Sequence, residues 1–111
     1  MPEKLIRDYI PEIAASHGRR LTVRTATPAE LPNLLLSKLL EEADEAATAE
    51  DGELLEELAD VLEVVYALAA HHGHSVEDLE RIRAVKAGGR GRFTRHLVMQ
   101  IPATSHSKES A

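Results

Sequence analysis

At 111 residues the sequence is long enough for one domain with a modest core, and its 43% hydrophobic and 29% charged content is ordinary for a globular chain. The absence of cysteine excludes disulfides and thiolate metal sites. A formal charge of −6 and only three aromatics, Tyr9, Tyr66 and Phe93, argue against binding a nucleic acid duplex, and no apolar run is long enough to span a membrane.

The opening stretch MPEKLIRDYIPEI lacks the uninterrupted apolar core of a signal peptide, so a cytoplasmic location is expected. Residues 4–9 read as extended or turn. Pro11 can open a short helix over 12–16, with Gly18 fitting its end. Residues 21–25 alternate apolar and polar side chains, a weak strand signal. Thr27-Pro28-Ala29-Glu30 is a capping box, but Pro32 interrupts a simple continuation, so the first long helix is expected from about 32 to about 47.

Residues 49–52 form a polar break containing Asp51-Gly52. A second long helix is expected over 53–71, with Gly73 as its cap. Ser75-Val76-Glu77-Asp78 starts a further helix reaching about Ala87, followed by a mobile Gly88-Gly89-Arg90-Gly91 loop. Residues 93–101 can form a short strand. The expected domain is 1–101, with 102–111 as a disordered tail.

The charge is uneven. Acids crowd between 41 and 63, whereas 81–95 hold six bases and no acid. Such a pairing suits a small anion held through a cation.

At about 100° per residue, Leu35, Leu39, Glu42 and Ala46 follow one stripe of the first long helix. Glu45 and Lys38 lie on its edge, and Glu41 turns further toward solvent. The second helix places Leu54, Glu57, Val61, Val64 and Leu68 on a similar stripe, with Asp60 at its border. A lone carboxylate on an apolar face is costly. Two pairs at i, i+3 on adjacent antiparallel helices can instead converge on a divalent cation, and all-oxygen ligation selects Mg²⁺, Mn²⁺ or Ca²⁺ over zinc. The competing structural reading is that surface helices often carry acids at this spacing by chance.

The pattern Glu41-Glu42-Ala43-Asp44-Glu45 followed by Glu57-Leu58-Ala59-Asp60 resembles the MazG-like, all-α nucleoside triphosphate pyrophosphohydrolases. The flanks KLLEEADE and EELADVLEVVYALAAHHG agree. The start KLIRDYIPEI is similar to the opening of the short, phosphoribosyl-ATP pyrophosphohydrolase-like members. The resemblance implies an all-α antiparallel helical bundle with short extended segments near both ends. It also implies Glu42, Glu45, Glu57 and Asp60 as magnesium ligands, and cleavage of a nucleoside triphosphate to the monophosphate and pyrophosphate as nucleotide-pool house-cleaning. The alternatives are the histidine-pathway step on phosphoribosyl-ATP and a helical interaction module without activity. One departure stands out: the expected Lys-x-x-Arg-Gly-Gly-Phe arrangement reads here Lys86-Ala87-Gly88-Gly89-Arg90-Gly91-Arg92-Phe93.

Besides Glu42, Glu41 is a catalytic candidate for orienting water or a second metal, with a solvated helix acid as the competing reading. Lys38 can reach a phosphate or pair with Glu41 or Glu42. Lys86, Arg90, Arg92 and Arg95 can bind the triphosphate or form a solvated basic arm. Lys4, Arg7 and Asp8 suit either a nucleotide pocket or a structural salt bridge. His71, His72 and His74 fit helix capping better than zinc ligation. The second long helix is apolar over more than half its circumference, so a homodimer or homotetramer is expected.

Overall fold

The computed structural model describes residues 2–102, and among them it contains four helices and no strand. In chain order these are α1 (Ile10–Ser16), α2 (Leu31–Thr48), α3 (Leu54–His71) and α4 (Val76–Arg90). The chain forms two compact units, Met1–Leu79 and Glu80–Ala111. The expected all-α class holds.

In the first unit, Pro11 sits in the first turn of α1, where its missing N–H has no partner to lose. Gly18 follows the helix at φ +77°, a conformation that glycine adopts without strain. The segment 21–25, expected as a strand, is not one, because no second strand among the described residues pairs with it. Its arginine is held through side chains instead: Arg24 donates to Glu3 at 2.8 and 2.9 Å and to Glu30 at 2.7 and 2.8 Å.

The capping box closes as its sequence predicts. The Thr27 N–H donates to Glu30 Oε2 at 2.8 Å, and the Glu30 N–H donates to Thr27 Oγ1 at 3.4 Å. Helix α2 then begins at Leu31, with Pro32 harmless in its first turn. The five-residue connection 49–53 returns the chain so that α3 packs antiparallel against α2. The core between them is small. Leu35 (4% exposed) and Val64 (8%) are its only buried hydrophobic side chains among the described residues, and Glu42 (8%) is the third buried residue.

Both helices carry a second apolar stripe, one position further along the chain than the stripe that faces the partner helix. On α2 it is Leu36, Leu40, Ala43 and Ala47; on α3 it is Leu55, Leu58, Leu62, Val65 and Ala69. A one-residue advance rotates about 100° in opposite senses on antiparallel right-handed helices. The two stripes therefore face the same side and make one continuous, charge-free surface. Its five leucines are all exposed. Lys38, Glu41, Glu45 and Asp60 lie on the opposite flank.

Helix α4 opens on the Ser75 box: the Ser75 N–H donates to Asp78 Oδ2 and the Asp78 N–H to Ser75 Oγ, both at 3.0 Å. It continues through Gly88 and Gly89 to Arg90, where a loop was expected. Glycine in a helix costs about 1 kcal/mol relative to alanine but does not forbid it. The break falls at Gly91, whose φ of +84° ends the helix. Residues 93–101 are turn and coil rather than a strand. The tail expected at 102–111 lies outside the described residues apart from Pro102.

Candidate metal centre

The stripes that join α2 to α3 place carboxylates inside an apolar seam. Glu42 stands between Leu35 and Ala46 on α2, and Glu57 stands between Leu54 and Val61 on α3, with Asp60 one turn on. One carboxylate oxygen from each of Glu42, Glu57 and Asp60 comes within 4.8 Å of the others. Glu42 Oε2 and Glu57 Oε2 are buried and accept no hydrogen bond. An unsatisfied buried polar atom costs about 1–3 kcal/mol, and more when charged. These two oxygens need an electrophilic partner.

Cations already stand around the cluster. Lys38 Nζ lies 3.2 Å from Glu42 Oε1 and 3.1 Å from Glu41 Oε2. Both contacts foreseen for Lys38 are therefore made at once. From the segment before α1, Lys4 Nζ reaches Glu41 Oε1 at 3.3 Å and Arg7 Nη2 reaches Asp60 Oδ1 at 2.7 Å. The salt-bridge reading of Lys4 and Arg7 is thus realised, but its acceptors are the clustered acids themselves.

Electrostatics follow the packing. Burial pulls the Lys38 ammonium down, yet its hydrogen bonds to Glu41 and Glu42 outweigh that and hold its pKa above the ordinary value. The bond from Lys38, assisted by Lys4, keeps the Glu41 carboxyl below the usual range. Glu45 moves the other way: the charge of Glu42 is the main cause, with burial and the charge of Glu57 adding to it. Glu45 stands outside the group of three converging oxygens but feels their field. Glu41, Glu42, Glu45, Glu57 and Asp60 face Lys4, Arg7 and Lys38, which leaves two negative charges unmatched.

The orphaned oxygens and the all-carboxylate donor set fit Mg²⁺, Mn²⁺ or Ca²⁺. Among the described residues the histidines at the end of α3 join no such group. His71 and His72 instead meet edge to face, their ring centroids 5.2 Å apart. Lys86 and Arg90 lie on α4, with Arg92 and Arg95 beyond it, all in the second unit. No helix among the described residues is long and apolar enough to cross a membrane.

Two antiparallel helices with carboxylates turned into their seam define an all-α protein with a candidate site for a divalent cation. The family model described as phosphoribosyl-ATP pyrophosphohydrolase matches residues 12–86, about two thirds of the sequence, and the chain belongs to that family. Membership supports pyrophosphohydrolase activity on a nucleotide. No match is found among the curated proteins or the solved structures.

Proposed function

We propose that the chain hydrolyses nucleoside triphosphates to the monophosphate and pyrophosphate, removing surplus or non-standard nucleotides in the cytoplasm. The carrying observation is the pair of buried, unpartnered oxygens on Glu42 and Glu57, with an oxygen of Asp60 close by. Glu42, Glu57 and Asp60 hold Mg²⁺, or Mn²⁺ in its place, and Glu45 completes the set. The bound ion neutralises phosphate charge and helps generate the attacking nucleophile.

The remaining roles belong to side chains. Glu41, held below the usual carboxyl range by Lys38 and Lys4 in the free chain, orients the attacking water once they turn to phosphate. Lys38 turns from its carboxylates toward a phosphate. Lys86, Arg90, Arg92 and Arg95 are assigned phosphate contacts on their charge alone, within a domain spanning 1–101. Assembly to a homodimer or homotetramer uses the charge-free leucine face, since a core this small stabilises a chain poorly by itself.

A second reading has its own support: the family description names phosphoribosyl-ATP, whose cleavage the same carboxylates could serve. Pyrophosphate release from NTPs, dNTPs and phosphoribosyl-ATP, with and without Mg²⁺, separates the two. Turnover of the triphosphates that is lost in Glu57→Gln supports the first. Turnover confined to phosphoribosyl-ATP supports the second. Absence of any turnover, together with no Mg²⁺ stabilisation, leaves an interaction module.

A further inference from the structure

We propose that Arg7 and Lys4 exchange partners during the reaction cycle: they hold carboxylates of the acid cluster in the free chain and phosphates of the nucleotide in the complex. This inference rests on the metal-dependent reading above.

Arg7 makes a single-point contact, Nη2 to one oxygen of Asp60, at 2.7 Å. Its other guanidinium nitrogens make no hydrogen bond among the described residues. Arg7 is 54% exposed and Lys4 66%, and ion pairs exposed to that degree contribute only about 0–1 kcal/mol. The contacts are therefore cheap to break. They are also placed where breaking them matters. Asp60 is one of the three acids whose oxygens converge, and Glu41 neighbours a second, Glu42.

A divalent ion drawn to Asp60 competes with Arg7 for the same carboxylate and repels its guanidinium. A polyphosphate brought in by that ion offers the displaced side chain a bidentate, doubly charged acceptor, which a guanidinium fork matches better than one carboxylate oxygen. Lys4 follows the same logic with less force, because its partner Glu41 is not among the three converging acids. Arg7 thus opposes the metal before substrate arrives and assists the substrate afterwards. A purely structural salt bridge does neither.

The opposite signs make the test decisive. Mn²⁺ binding to the nucleotide-free full chain is measured by titration calorimetry or electron paramagnetic resonance for wild type, Arg7→Gln and Lys4→Gln. The KM and kcat for a cleaved nucleotide are measured for the same proteins. The expected result for Arg7→Gln is Mn²⁺ affinity tightened about 2- to 5-fold and KM raised about 10-fold or more, with kcat little changed. Lys4→Gln is expected to shift both the same way, by less. If Mn²⁺ binds wild type and is lost in Glu57→Gln, but Arg7→Gln leaves both quantities unchanged or weakens both, the exchange is wrong and the metal site stands. If wild type binds no Mn²⁺ at all, the metal reading and the exchange fall together.

Discussion

Lys38 and Glu42 stand one turn apart on α2 with charged ends 3.2 Å from each other and side chains only 15% and 10% exposed. The order, lysine before glutamate, is the less favourable one for an isolated helix. Burial among the core side chains is what makes the contact matter. It compensates the one buried acid between α2 and α3.

Lys38→Met should accordingly destabilise the metal-free chain by about 1–3 kcal/mol, since it leaves a buried carboxylate without its cation. Urea unfolding in a chelator checks this. The double variant Lys38→Met with Glu42→Gln should lose less than the two single effects added together, because each change removes the other's penalty. Equal additivity would show that the pair is not coupled.

The Arg24 cluster sets an acid limit. Hydrogen bonds from Arg24, then from the Thr27 backbone, bring Glu30 from its ordinary 4.5 down to about 2, and Arg24 likewise lowers Glu3. Both are carboxylates depressed in the folded chain, so their contribution is whole above pH 4.5 and drains away as pH falls toward about 2. Melting temperature followed over that window should fall more steeply for wild type than for Glu30→Gln. Salt should flatten the difference, because these groups face water.

Assembly should depend on the leucine face rather than on the acidic flank. Leu58→Glu puts a charge in the middle of the charge-free surface and should convert the assembly to monomer in light scattering, with a lower melting temperature. Glu63→Gln, on the other flank, should change neither. An unaltered mass for Leu58→Glu would remove this face as the interface.

The helices were legible because their signals are local. Both capping boxes, Thr27 with Glu30 and Ser75 with Asp78, close as the spacing predicts, and the 100° arithmetic puts Glu42 and Glu57 in the seam, where the fold buries the first and one oxygen of the second. Residues 21–25 were misread because alternation marks a strand only where a partner exists, which is a non-local condition. Gly88 and Gly89 were read as breakers although a helix tolerates glycine at modest cost, and the left-handed residue is Gly91. The Arg7–Asp60 contact spans 53 positions, and no spacing rule reaches that far. Lys4 and Arg7 could be singled out from the sequence, but their acceptors could not.

The leucine face and the carboxylates are borne by the same two helices, the acids in the seam and on the far flank, with no intervening layer to insulate one from the other. A helix is about 10 Å across, so a shift that improves the fit of one flank is transmitted to the other almost undiminished. If the leucine face is the association surface proposed above, lineages of this hairpin have little freedom to change it while holding their chemistry fixed. Divergence of substrate choice and divergence of quaternary arrangement should travel together, and a graft of this site onto a foreign scaffold would have to carry the leucines with it.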